Sequence, residues 1–149
     1  MVINTSWKDV VKNLLLILLV ILPLKLYAAE ALMLYGGVNH RQFLGCLNCS
    51  KFDSTSICNK FGENGSKFAS KSIWNKFGDF GSKFSNYSPW NKFSNNAPII
   101  VDGNGGSYGY FSSNKFHNNR TSYNPLLSLL DFVAENDDLE TARDTYCGD

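Results

Sequence analysis

The middle of the chain repeats itself every sixteen residues, and this period constrains the fold more than any other feature. Ser50–Phe52 returns as Ser66–Phe68 and again as Ser82–Phe84, with no gap in the register. Between them lie three further matching segments, Ile57–Gly62, Ile73–Gly78 and Pro89–Ser94. Units of fixed period bury their apolar faces against their neighbours, so this pattern predicts a repeat architecture.

The composition of the repeats, which span residues 50–94, argues against helices. Gly, Ser and Asn are too frequent for a stable helix, and Phe61–Gly65 and Phe77–Gly81 are typical of turns. Adjacent residues of an extended segment point to opposite faces, so each Lys-Phe pair places Phe inward and Lys outward if the segment is extended. We therefore predict turns, very short strands and an inward ladder of Phe rings, although irregular coil held by aromatic packing fits the same pattern.

Two tryptophans occupy equivalent positions in successive repeats. Trp74 and Trp90 match each other, and Cys58 holds their place in the first repeat. This equivalence favours a core role, in which a disulfide sulfur replaces the indole. The alternative is that the rings bind sugars or bases beside a row of lysines. The candidate ligand-binding residues are then Trp74, Trp90, Lys60, Lys76 and Lys92.

The flanks of the repeats are easier to interpret. Leu32–Tyr35 is typical of a strand, and residues 97–116 have the pattern of a hairpin with a turn at Asp102–Gly106. Asn124 followed by Pro125 is typical of the start of a helix, with Asn124 as its cap and Pro125 at its first position. The leucines after them lie on one face of that predicted helix. Residues 125–146 are therefore predicted to be helical, with a second helix from about residue 137. The predicted class is α+β, with a single domain over 32–149.

The first 31 residues are predicted to be a signal peptide. Leu14–Leu24 is a continuous apolar run, too short to span a bilayer as a helix, which needs roughly 20 apolar residues. Small residues at Ala29 and Ala31 favour cleavage after Ala31, with cleavage after Ala28 or Ala29 as alternatives. An uncleaved anchor is the other interpretation. Export predicts a secreted or periplasmic protein.

Four cysteines follow this segment, at 46, 49, 58 and 147. An even number in an exported chain indicates two disulfides, with three possible pairings. Zinc is the rival, since Cys46 and Cys49 have the spacing of metal ligands. The other two cysteines do not form a second close pair, so disulfides are favoured and no metal ligand is assigned.

The charges are unevenly distributed. Residues 41–120 contain ten Lys and Arg against four Asp and Glu, whereas residues 121–149, the acidic tail, contain one Arg against seven acids. The interpretation we favour is that the tail docks on the basic body and partly neutralises it. The alternative is that the basic surface binds an anionic partner such as an envelope polymer.

The sequence offers little for catalysis. The two histidines, His40 and His117, lie in polar surroundings, and no Gly-x-Ser-x-Gly elbow is present. Asp102–Gly106 partly resembles a calcium loop, but it lacks the third acidic ligand and the closing Glu. We predict no catalytic residue, no cofactor and no specific nucleic-acid partner.

The run from Phe43 to Cys49 and the repeats after it resemble a group of small exported bacterial proteins. Their repeats read Tyr-Gly-x-Tyr-Gly-Ser-x-Tyr-Ser and then Ser-Ile-Trp-Asn. In this chain Phe occupies several of the Tyr places, namely 61, 68, 77, 80 and 84. The resemblance covers residues 43–117 and implies an exported domain with no catalytic residues. The loss of hydroxyls favours packing over hydrogen-bonded recognition.

Together these observations predict a non-catalytic exported binding or structural module of the bacterial envelope or extracellular space. Its expected partners are an envelope polymer or another exported protein, and it meets the membrane only through the signal segment during export. Two alternatives stay open. One is an accessory domain that binds a glycan or anionic polymer, and the other is a small hydrolase or hydrolase accessory that uses His40 and His117.

Overall fold

The computed structural model describes residues 6–20 and 29–149. In the first range, Trp7–Val20 forms helix α1. None of the described helices is both long enough and apolar enough to cross a membrane. The predicted signal peptide includes residues 21–28, which lie outside the described residues together with the end of the apolar run and the alternative cleavage site at Ala28.

A four-stranded antiparallel sheet joins the two ends of the repeat region. Its strands are β1 (Leu32–Gly36), β2 (Gln42–Cys46), β3 (Ile99–Asp102) and β4 (Ser107–Tyr110), in the spatial order β2-β1-β3-β4. The strand at 32–35 and the hairpin within 97–116 confirm their predictions. Strand β2 was not predicted from the sequence. It pairs with β1, to which it is joined by a short 3-10 turn at Val38–His40.

No β-strand forms within the repeats, residues 50–94, so the predicted short strands are wrong. The chain there forms a succession of turns, closed by hydrogen bonds to the backbone carbonyl oxygens of residues 50, 53, 56, 59 and 62. The first four are β-turns, and the last spans one residue more. The next unit begins its turns at 66, 69, 72, 75 and 78, sixteen residues later. Four steps of three residues and one of four make up the period. Ser and Asn side chains bond to nearby backbone and so favour turns over a strand ladder.

Two C-terminal helices close the molecule. Helix α2 spans Asn124–Asn136 and α3 spans Leu139–Cys147. Asn124 does not cap α2. The N-cap position is Tyr123, and Asn124 is the first residue of the helix. The Asp138 side chain caps α3 by accepting from the backbone N–H of Thr141. The buried face of α2 consists of Leu126, Leu129, Leu130, Val133 and Ala134.

The core contains a spine of side chains at equivalent repeat positions, packed with residues of the sheet and of the C-terminal helices. The indoles of Trp74 and Trp90 stack with their centroids 5.5 Å apart, and Trp90 meets the ring of Phe111 edge-on at 5.5 Å. Cys58 continues the spine in the first repeat, where it is bonded to Cys147 of α3. With the sheet, the helices and two disulfides, the predicted disulfide-stapled α+β class is confirmed.

Candidate binding surface

All seven Lys-Phe pairs of the repeat region and its last echo have the same local structure. Each pair occupies the two middle positions of a β-turn that begins at Ser or Asn. The side chain of that first residue accepts a hydrogen bond from the backbone N–H of the Phe. In one example, Asn75 Oδ1 lies 3.1 Å from the Phe77 nitrogen. We call the surface formed by these turns the Lys-Phe face; its pairs begin at Lys51, Lys60, Lys67, Lys76, Lys83, Lys92 and Lys115.

The phenylalanines of this face point into solvent, and the predicted inward ladder is therefore wrong. Their exposed fractions run from 84% to 99%. Each Phe shares its turn with a Lys whose charge must stay in water, and the two project together rather than alternating as they would in a strand. Phe80 follows Asp79 instead of a Lys, and unlike the exposed rings it is partly buried against the core. The exposed rings are Phe52, Phe61, Phe68, Phe77, Phe84, Phe93 and Phe116.

The tryptophans lie on the opposite side of the chain, in the core. Trp74 and Trp90 are each 3% exposed. Their indole N–H groups donate to backbone carbonyls of the preceding repeat, that of Trp74 to Ile57 at 2.7 Å and that of Trp90 to Ile73 at 2.5 Å. Both rings therefore join neighbouring repeats and present no surface to a ligand, which contradicts the alternative role considered for them.

The lysines of the face lie along the acidic tail. Lys51 Nζ is 3.6 Å from one carboxylate oxygen of Asp149, and Lys60 Nζ is 3.2 Å from the other. Lys67 Nζ lies 2.6 Å from Glu140 Oε1, and Lys83 pairs with Asp137. Two lysines from one repeat thus reach a single carboxylate, which places their turns side by side. The favoured interpretation of the charge asymmetry, a tail that docks on the basic body, agrees with these contacts.

This pairing lowers the pKa of two acidic residues in the tail, Glu140 and Asp149. The hydrogen bond and the charge of Lys67 lower the pKa of Glu140 below its usual 4.5, with a smaller contribution from the charge of Lys76. Burial opposes ionisation of Asp149, but the hydrogen bond and charge of Lys60 and the charges of Arg143 and Lys51 outweigh it. The pKa of Asp149 is therefore also lowered, from 3.8.

The three lysines named as ligand candidates have different surroundings. Lys60 is paired with Asp149, as described. Lys76 Nζ lies 5.3 Å from the ring centroid of Phe77, its neighbour in the chain. Neither Lys76 nor Lys92 forms an ion pair within the part of the chain that the structure describes. These two lysines are thus the cations of the face that remain available.

The four cysteines are all in disulfides. Cys46 is bonded to Cys49, and Cys58 to Cys147. No free thiol remains among them. The zinc alternative for the first pair is therefore set aside, because a thiol engaged in a disulfide cannot ligate the metal.

The histidines and the Asp102–Gly106 loop have structural surroundings. His40 and His117 flank the ring of Tyr110, with centroid distances of 5.6 and 4.2 Å. His40 Nε2 lies 3.0 Å from the carbonyl oxygen of Ala97, and His117 Nδ1 lies 2.6 Å from that of Asn118. In the loop, Asp102 Oδ1 accepts from the backbone N–H groups of residues 104 and 106, as expected for a hairpin turn.

A shallow cavity of about 470 Å³, not anticipated from the sequence, opens beside β4. Tyr108 and Tyr123 meet edge-to-face at its wall, with their centroids 6.4 Å apart. The guanidinium of Arg120 also lines it, but it is already bound to Asp131 at 2.7 Å and to the carbonyl oxygen of Ser112 at 2.6 Å. The cavity therefore offers aromatic walls without an uncommitted charge, and the Lys-Phe face is the stronger candidate.

Of the residues named from the sequence as ligand candidates, the three lysines belong to the Lys-Phe face and the two tryptophans are buried. The exposed phenylalanines of the same face were not named. A signal was present in the chain, since every one of these phenylalanines directly follows a Lys inside a segment rich in turn residues.

Comparison with protein-family models, with curated proteins and with solved structures finds no match to this chain.

Proposed function

We propose that the protein is an exported, non-catalytic binding module of the bacterial envelope or extracellular space, and that it binds through the Lys-Phe face. The observation that carries this proposal is the exposure of seven phenylalanines in seven equivalent turns. Isolated exposed apolar residues are ordinary, but a recurrent set on one surface is typical of an interaction site.

The turns themselves do not need phenylalanine. The stabilising contact is the hydrogen bond from the backbone N–H to the Ser or Asn side chain, and any residue with an N–H supplies it. An exposed ring adds no burial to the fold and increases the risk of aggregation. Phenylalanine at all seven positions is therefore better explained by a partner that covers the rings than by the stability of the monomer.

The disulfides support the exported location. A pair of bonds that includes a link between residues 58 and 147 is typical of proteins that fold in an oxidising compartment. The intact mass of the protein recovered from its host tests this part of the proposal. We expect a chain that begins near Leu32 and is lighter by the four hydrogens of two disulfides, and a full-length reduced chain would contradict export.

The binding surface is tested by retention on the host's isolated envelope fraction. We compare the unaltered protein with the triple variant Phe61→Ser, Phe77→Ser, Phe93→Ser, and use Val38→Ser as the matched control. Val38 is 67% exposed but lies in the turn between β1 and β2, outside the Lys-Phe face. The triple variant should lose retention while the control keeps it. Equal retention of all three proteins would exclude the Lys-Phe face as the binding surface.

A second candidate, binding of an anionic polymer, is favoured by the two unpaired lysines of the face. It predicts that Lys76→Gln with Lys92→Gln reduces retention as strongly as the triple Phe variant does. The pairing of five other lysines with the acidic tail weighs against it, because it leaves little net positive charge to attract a polyanion.

A further inference from the structure

We infer that the partner of the Lys-Phe face is an anionic lipid bilayer, into whose headgroup region the phenylalanine rings insert. This inference rests on the proposed function and names the class of partner. It also goes beyond the expectation that the protein meets a membrane only during export. It is carried by the separation of the rings, by their chemistry and by the position of the free lysines.

The rings project as separate tips rather than as the walls of a cleft. No two of the seven pack as an aromatic pair in the structure as described, and none lines the cavity beside β4. A folded protein partner would need pockets matched to each tip. A fluid apolar phase accepts each tip independently, and the side chains of interfacial binding proteins enter bilayers in this way.

The chemistry of the tips also favours lipid. A Phe ring has no hydrogen-bonding group, so it gains little from the hydroxyls of a glycan, whereas burial of its surface in an apolar phase is favourable. The rigid β-turn holds the ring outward before binding, since its backbone is closed by both a main-chain and a side-chain hydrogen bond. Little conformational entropy is then lost on insertion.

The free lysines lie where they can complement anionic headgroups. Lys76 Nζ lies over the ring of Phe77, and Lys92 precedes Phe93 in the equivalent turn of the next repeat. A long, flexible stem allows the ammonium group to remain at the phosphate level while the adjacent ring enters the hydrocarbon boundary. Because the tail neutralises most other lysines, insertion of the rings supplies more of the affinity than charge does.

Insertion is measured at a tip with the variant Phe77→Trp and vesicles that contain phosphatidylglycerol and brominated phosphatidylcholine. Bromine in the acyl chains quenches indoles that enter the hydrocarbon. The emission added by the new Trp should be quenched and shifted to shorter wavelength. Val38→Trp is the control outside the face. The unaltered protein corrects for the emission of Trp7, Trp74 and Trp90, and Val38→Trp controls for any approach to the vesicle that α1 causes.

The inference that the rings insert is overturned if bromine quenches the emission of the added Trp in Phe77→Trp and in the equivalent Phe93→Trp no more than in Val38→Trp. Near-ultraviolet circular dichroism, which reports the stacked Trp74 and Trp90, shows whether each variant has kept its core.

Affinity is measured by vesicle flotation of the chain recovered from its host. Phe77→Ser with Phe93→Ser should weaken partitioning by about tenfold or more, because each ring loses a favourable apolar transfer. Lys76→Gln with Lys92→Gln should weaken binding to phosphatidylglycerol vesicles and leave binding to pure phosphatidylcholine unchanged. Lys71→Gln is the matched control, since Lys71 is paired with Glu63. Equal binding of both double variants and the control would overturn the lipid assignment.

Failure of this inference is distinguishable from failure of the proposed function. Suppose that the Phe variants lose retention on the envelope fraction, yet neither Trp variant is quenched by vesicles. The Lys-Phe face is then a binding surface for another class of partner. If the protein alone also self-associates in sedimentation, and Phe77→Ser with Phe93→Ser abolishes this, the occupant is a second copy of the chain and the lipid assignment is wrong.

Discussion

At the residue scale, the direction of a side chain in the repeats depends on the turn that contains it. Ile73 and Trp74 occupy the middle of one turn and are buried, whereas Lys76 and Phe77 occupy the middle of the next and are exposed. Both turns begin with a polar residue whose side chain holds the backbone. Their opposite directions follow from the rotation of the chain between them, and the charge of Lys is compatible only with the outward one.

Close approach of the backbone leaves no room for a side chain at one glycine in each of the first two repeats, Gly65 and Gly81. A Cβ placed at Gly81 would lie 2.2 Å from the carbonyl oxygen of Asn75, and the equivalent Gly65 is as crowded by Asn59. Gly81→Ala should therefore destabilise the fold by about 1–3 kcal/mol or more, because backbone atoms must move apart. Urea denaturation of the oxidised protein measures the change.

Gly103→Ala is the matched control for this prediction, because the nearest atom to its Cβ would be Glu30 Oε1 at an ordinary 3.6 Å. It should alter stability by less than about 0.5 kcal/mol. Equal stability of the two variants would show that the repeats can widen at Gly81 without cost.

At the scale of elements, the helical tail is fastened to the repeats by covalent, ionic and hydrogen bonds. Cys147 at the end of α3 is bonded to Cys58 in the spine. Arg143, 7% exposed, donates to the carbonyl oxygen of Gly65 and to Asp149 Oδ2. The hydroxyl group of Tyr146 donates a hydrogen bond to the carbonyl oxygen of Leu47. Burial raises the pKa of Tyr146 to about 12. Helix α3 is thereby held against the first repeat and the segment just before it.

The two disulfides should contribute unequally to stability. The bond between Cys58 and Cys147 spans a separation of 89 residues, and that between Cys46 and Cys49 spans 3. In the chain-entropy model, Cys58→Ala with Cys147→Ala removes about 4–5 kcal/mol and Cys46→Ala with Cys49→Ala about 2 kcal/mol. Urea midpoints of the two double variants measure the difference. Equal losses would show that restriction of the unfolded chain is not the source of the stability.

At the scale of the whole molecule, the pairing of the acidic tail with the basic body makes stability depend on pH. The pKa values of Glu140 and Asp149 are lowered in the folded protein by their lysine partners, from 4.5 and 3.8 respectively. Groups whose pKa is lowered on folding add stability that is complete above their unfolded values. That stability is lost as the pH falls through the folded values.

We therefore expect the urea midpoint to fall as the pH decreases below about 4.5, and to fall less in the variant Glu140→Gln with Asp149→Asn. The control is Asp79→Asn, which removes a carboxylate that has no ion pair among residues 29–149. Identical pH profiles for the double variant and the unaltered protein would contradict a stabilising role for the tail pairs.

Several features followed from the sequence because local interactions decide them. The β3–β4 hairpin and both C-terminal helices depend on residues close in the chain, such as Pro125 at the start of α2 and Asp138 as the cap of α3. The strand at 32–35 has a recognisable local pattern, although one of the strands that it pairs with, β3, is distant in the chain. The sixteen-residue period and the turn residues likewise indicated tandem turns. Cysteine content with the predicted export indicated two disulfides, because an even number of thiols oxidises in pairs.

Only the tertiary structure decided which side chains face solvent and which residues meet. Trp74 and Phe77 are aromatic residues three positions apart with the same period, and the first is buried while the second is exposed. Local preference cannot separate them, because the difference depends on where the sheet and the helices cover each repeat. The pairing of Cys58 with Cys147 and of the lysines with the tail is likewise non-local. Sequence alone determined the turns, and packing of distant elements against them decided which face remained open.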